Sequence, residues 1–72
     1  MRFSFRKMHG AGNDFILVDD RGGAFPCGDR RWIRALCERR TGIGSDGLIL
    51  IQVSGKSDFR MRFFNPDGTE AD

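Results

Sequence analysis

Apolar and polar positions alternate over residues 2–8, with Phe3 and Phe5 on one side and Arg2, Ser4 and Arg6 on the other. A period of two marks a half-buried strand. Residues 15–18, Phe-Ile-Leu-Val, form a continuous apolar run closed by Asp19-Asp20-Arg21-Gly22-Gly23. Such a run suits a strand covered on both faces, and the segment after it has turn composition. The period then changes. Trp32, Ile33, Leu36 and Cys37 share one helical face, Asp29 is placed to cap its start, and Arg39 and Arg40 suit the negative end of the dipole. The pattern predicts a helix over 30–40, with Gly42 just past its end supplying a positive φ.

Residues 48–53, Leu-Ile-Leu-Ile-Gln-Val, read as a second buried strand, followed by a turn at Ser54-Gly55-Lys56-Ser57. Alternation returns over 58–64, with Phe59, Met61 and Phe63 opposite Arg60, Arg62 and Phe64. Asn65-Pro66-Asp67-Gly68 has the composition of a type I turn, with proline preset at its second position. The order is strand, strand, helix, strand, strand. Short strand-to-strand links favour antiparallel pairing, so the expected class is α+β with mostly antiparallel strands and one helix.

Seventy-two residues make at most one small domain, or part of one. Cys27 and Cys37 have neither metal-ligand spacing nor the density of a disulfide scaffold. The first ten residues hold no apolar run long enough for a signal peptide, and no stretch approaches the roughly 20 apolar residues of a membrane helix. A reduced, cytoplasmic protein is the expectation. The net charge of +2 is low for a nucleic-acid module and equally compatible with a small anionic substrate.

Several motifs carry two readings. Gly42-x-Gly44-x-x-Gly47 has the letters of a dinucleotide fingerprint, but that motif needs a strand before it and a helix after it. Here the order is reversed, and a tight turn is the better account. His9, the single histidine, could serve as a general base or simply occupy a loop. Cys27 and Cys37 read as structural, since neither has an activating pattern nearby. Arg60 to Phe64 interleaves cations with aromatics, which fits either a stacking platform for single strands or a solvated strand face.

Asn13 and Asn65 each stand where an apolar strand meets a glycine-containing turn. An amide offers an acceptor and two donors without a charge, so it can hold both the ammonium and the carboxylate of an amino acid. The alternative is an Asx-turn, in which the side chain caps its own backbone.

Three stretches together resemble the amino-terminal segment of diaminopimelate epimerase. They are Lys7-Met8-His9-Gly10 with Gly12-Asn13-Asp14-Phe15, then Gly42-Ile43-Gly44 with Asp46, then Phe64-Asn65 with Asp67-Gly68 and Glu70. The likeness runs from Met1 to Asp72 without a gap. It implies that residues 1–72 are the amino-terminal part of the first of two similar lobes, and that the central helix of the lobe is missing here. It implies a cofactor-independent epimerase that interconverts LL- and meso-diaminopimelate in lysine and peptidoglycan precursor synthesis. Two cysteines would transfer the proton, one as thiolate base and one as thiol acid.

Asn13 and Asn65 fall on substrate-binding asparagines of that family. Some relatives place a substrate-contacting glutamine where this chain has Gly47. No catalytic residue is assigned: the first family cysteine lies in a Cys-Gly-Asn-Gly loop that would begin within a residue or two after Asp72. Diaminopimelate is then the partner, the remainder of the enzyme is needed to complete the fold, and neither nucleic acid nor membrane is expected. A homodimer of the complete enzyme is compatible with this reading. Outside the enzyme class the alternative is a small basic nucleic-acid-binding module; within it, another racemase or isomerase of the same fold.

Overall fold

The computed structural model describes residues 3–55 and 58–71. Its elements are β1 (Phe5–Gly10), β2 (Asn13–Asp19), α1 (Arg30–Cys37), β3 (Leu48–Ser54) and β4 (Asp58–Phe64). Arg2 of the expected first strand, and Lys56 and Ser57 of the expected turn, lie outside the described residues. The strands make one sheet in the order β1-β2-β3-β4. β1 with β2 and β3 with β4 pair antiparallel, as the short links between them predict. Ala11 and Gly12 turn the first hairpin with φ of 50° and 86°, the left-handed pair that a two-residue connection requires. β2 and β3 pair parallel, which demands a crossover, and α1 lies within it. The class is therefore α+β with a mixed, mostly antiparallel sheet.

Alternation assigns the faces. Ile16 pairs with Leu48 and Val18 with Leu50, so these four share one face, and Phe64 joins it opposite Leu48. Ile33 and Cys37 of α1, with Phe25 from the connecting loop, close over them to form the core. Phe3, Phe25 and Trp32 pack as an aromatic cluster at its rim, with ring centroids 4.8–5.4 Å apart.

The other face of the sheet is apolar and uncovered. Ile49, Ile51 and Val53 face Phe63, Met61 and Phe59 across the β3–β4 ladder. Met8 stands beside Phe15 on the β1–β2 side. Phe59 is 68% exposed and Met61 52%. The β4 alternation is as the sequence predicts and Arg60 is exposed, as a solvated face requires, but that expectation is corrected for Arg62. Register puts Arg62 opposite Leu50, on the α1 side, where its side chain is only 22% exposed. Phe59 and Phe63 of β4 face solvent instead.

The helix is also shorter than expected, ending at Cys37 rather than near residue 40. Asp29 caps it as predicted, its side chain accepting the Trp32 N–H at 3.2 Å. At the other end Glu38 turns extended, and the returning loop takes over the last carbonyls. Gly44 N–H donates to Leu36 O at 2.9 Å and Ser45 N–H to Cys37 O at 3.1 Å. Gly42 is needed for proximity rather than for φ, since a Cβ there would lie 2.0 Å from Ala35 O. The positive φ belongs to Gly44, at 83°.

Candidate functional site

Strand directions bring three polar loops to one end of the sheet. β1 ends and β2 begins there, β3 begins there, and β4 ends there. The loops are the 10–13 turn, the 42–47 segment and the 65–70 turn. Asn13 opens β2 and Asn65 follows β4, with β3 and its preceding Gly47 between them. Both asparagines are exposed.

The 42–47 segment is fastened to the first hairpin by charge. Asp14 is only 8% exposed. Its carboxylate accepts from Lys7 Nζ at 2.8 Å, from Arg39 Nη1 and Nη2 at 3.1 and 2.7 Å, and from the Asp46 N–H at 3.0 Å. Lys7 also donates to the Gly44 carbonyl. Arg39, then Lys7, hold the Asp14 carboxyl well below the usual carboxylate range. Sequence reading missed this cluster. The available signal was an aspartate in register with Ile16 and Val18: a charge on a buried face requires partners.

Gly47 has no room for a side chain. A Cβ there would approach Phe64 O to 2.8 Å and the Phe15 ring to 3.2 Å. Its carbonyl accepts from the Ile16 N–H at 3.0 Å and from the Ser45 hydroxyl at 2.8 Å.

The 65–70 turn follows the predicted geometry, with Gly68 N–H donating to Asn65 O at 3.0 Å. The Asx cap, however, belongs to Asp67, whose Oδ1 accepts from the Thr69 N–H at 2.9 Å and the Thr69 hydroxyl at 2.6 Å. Asn65 Nδ2 donates to Thr69 Oγ1 at 3.0 Å. The amide of Asn65 therefore does not cap its own backbone turn. Gly68, at φ 92°, presses the turn against α1, where a Cβ would lie 2.2 Å from Arg30 O.

Cys37 lacks the setting of a proton-transfer group. Cys37 is buried under the sheet, and that burial pushes its thiol up, away from thiolate. Cys27 Sγ accepts from Arg62 Nη1 at 3.1 Å. The same guanidinium is held by Glu70 at 2.9 and 2.6 Å and lies over the Phe64 ring. His9, in β1 beside Asp14 of β2, is exposed. No group of three or more metal-ligating side chains occurs among the described residues, nor any helix long and apolar enough to cross a membrane.

A family model described as diaminopimelate epimerase matches residues 5–72. The chain is 53% identical over 72 residues to a diaminopimelate epimerase of Erythrobacter litoralis, covering all of this chain and 27% of that protein. It is 48% identical over 73 residues to one of Archaeoglobus fulgidus, covering 99% of this chain and 26% of the relative. With one of Chlorobaculum tepidum the identity is 56% over 61 residues, 85% of this chain and 23% of the relative. The chain spans about a quarter of the length of these relatives.

Proposed function

The chain belongs to the diaminopimelate epimerase family, and from that premise we propose that it is the amino-terminal part of the first lobe of a cofactor-independent isomerase. Its reaction interconverts LL- and meso-diaminopimelate in lysine and peptidoglycan precursor synthesis, in the cytoplasm. The observation that carries this reading is the match over residues 5–72, which takes in all three polar loops.

The α-proton of an amino acid is weakly acidic. Inversion needs a base on one face of the carbon and an acid on the other. Donors aimed at the α-carboxylate stabilise the charge that develops there. In this proposal Asn13 and Asn65 bind the polar groups of the substrate, using amides that can both donate and accept. The two proton-transferring cysteines come from the rest of the enzyme, and Cys27 and Cys37 take no part. The rest of the enzyme also covers the apolar face that carries Phe59, Met61 and Phe63. The complete enzyme needs neither nucleic acid nor membrane, and a homodimer is its proposed assembly.

The test uses the whole protein, with LL-diaminopimelate in deuterated water and no added cofactor. Deuterium should enter the α-position as the meso isomer forms. Absence of exchange, or exchange that depends on added pyridoxal phosphate, would reject the reading.

A further inference from the structure

Asn13 is exposed, yet the peptide that follows it is tied to the 42–47 segment. The Asp14 N–H belongs to the peptide unit joining Asn13 to Asp14, and it donates to Asp46 Oδ2 at 3.1 Å. The Asp46 N–H returns to Asp14, 3.0 Å from both its carbonyl oxygen and its Oδ1. Residue 14 is thus held through its N–H, its carbonyl and its side chain by one residue of the 42–47 segment. Arg39 Nη2 spans both carboxylates, at 2.7 Å from Asp14 and 3.2 Å from Asp46. Lys7 adds a link from β1 to Asp14 and Gly44. Partners from three separate stretches of chain converge on one carboxylate.

A buried carboxylate is costly unless fully paired, and breaking one partner leaves the charge uncompensated. The arrangement therefore has one low-energy geometry, and that geometry fixes the direction of the Asn13–Asp14 peptide. We propose that Asp14, acting with Arg39 and Asp46, is a positioning residue for substrate binding: it locks the 42–47 segment onto the start of β2 and so sets how Asn13 is presented. Asp14 touches no substrate in this account. The inference rests on the reading in which Asn13 contacts the substrate.

The test is a double-mutant cycle in the whole protein. Asp14→Asn keeps the size of the side chain but replaces a carboxylate by an amide that cannot accept from Lys7, Arg39 and the Asp46 N–H together. Its kcat/KM should fall about ten- to a hundredfold, mainly through KM. Arg39→Lys should lose less than Arg39→Gln, because the cation is kept. If Asp14 acts through Asn13, the double variant with Asn13→Ala is no slower than Asn13→Ala alone. Losses that multiply overturn the proposal, as does an Asp14→Asn enzyme with unchanged KM.

If Asp14→Asn fails to fold, Arg39→Gln takes its place in the cycle with the same two outcomes; the Arg39 side chain is 56% exposed. Failure of the underlying reading looks different. It appears as full activity in Asn13→Ala, or as no epimerisation by the unaltered protein, and either result removes the basis of the proposal. Amide hydrogen exchange reads the lock without any turnover. Exchange at residues 13–16 and 44–47 should rise in the Asp14 or Arg39 variant while 49–51 stay protected. A uniform change, or none, overturns the lock itself.

Discussion

Asp14 and Asp46 exchange hydrogen bonds, each carboxylate accepting the backbone N–H of the other residue, at 3.0 and 3.1 Å. Two acidic residues in this position would repel, but Arg39 lies against both. The polar end of the sheet therefore depends on ionised carboxylates, and acid should loosen it.

The sign follows from Asp14. Its folded value is depressed, chiefly by Arg39 and then by Lys7. Its contribution is complete above the unfolded value, about 3.9, and is lost as pH falls through the folded value. Glu70, lowered by Arg62, and Asp67, lowered by Thr69, act in the same direction. The melting temperature of the whole protein should be level near neutrality and fall below about pH 4. Asp14→Asn should be less stable at neutral pH, with the gap to the unaltered protein closing toward acid. Circular dichroism melts across that range check it; a gap that does not change with pH would refute it.

Asn65 and Asp67 divide the labour of one turn. Asp67 caps the backbone, while the Asn65 amide donates to the Thr69 hydroxyl. Asn65→Ala in the whole enzyme should leave the melting temperature nearly unchanged and cut kcat/KM roughly ten- to a hundredfold, the loss of one or two charge-assisted hydrogen bonds. Asp67→Ala should lower the melting temperature more than Asn65→Ala does. A destabilised but fully active Asn65→Ala would end the substrate-contact proposal.

Gly68 and Gly55 separate backbone strain from close packing. Both have positive φ, at 92° and 68°, but a Cβ meets Arg30 O at 2.2 Å at Gly68, while at Gly55 no atom of the described residues lies within 4 Å of it. Gly55→Ala should cost about 1–2 kcal/mol, from the left-handed conformation alone. Gly68→Ala should cost about 3 kcal/mol or more, because the turn must also move off α1. Urea unfolding of the two variants gives the comparison, and equal costs would show that the contact with Arg30 does not restrain the turn.

The uncovered face should behave differently in two contexts. Burying a side chain the size of Phe63 stabilises by about 1.5–3 kcal/mol. In the isolated chain Phe63, 45% exposed, has little to lose, so Phe63→Lys should change stability slightly and reduce binding of a hydrophobic dye. In the whole protein the same change should cost about 2–3 kcal/mol or more, by placing a charge in a covered interface. Leu50→Ala, on the α1 face, should cost about 2–5 kcal/mol in both, since Leu50 is fully buried here. A Phe63→Lys penalty that is small in the whole protein would mean that the face stays open.

The isolated chain should catalyse no exchange of the substrate α-proton. Cys37 is buried with its thiol pushed up. Cys27 lies against an arginine already held by Glu70. Incorporation of deuterium into diaminopimelate by this chain alone would show that one of them is a base after all.

Local pattern alone determined the five elements, the Asp29 cap and the 65–68 turn, because each depends on the spacing of residues a few positions apart. Phe59, Met61 and Phe63 alternate with Arg60 and Arg62 whatever surrounds them, so the strand is legible while the choice of covered face is not. That choice needed the Leu48–Phe64 register, which puts Arg62 and Phe64 on the core side and Phe59 and Phe63 outside. The helix stopped at Cys37 because a returning loop, and not a further turn, satisfied its last carbonyls. The Asp14 cluster joins residues 7, 25 and 32 positions apart, with charges that local pattern treats as surface. The parallel pairing of β2 with β3 likewise brings together Ile16 and Leu48 across the whole α1 crossover. Such contacts carry no local signature: their energy exists only once the chain has closed on itself, which is why the tertiary structure alone decided them.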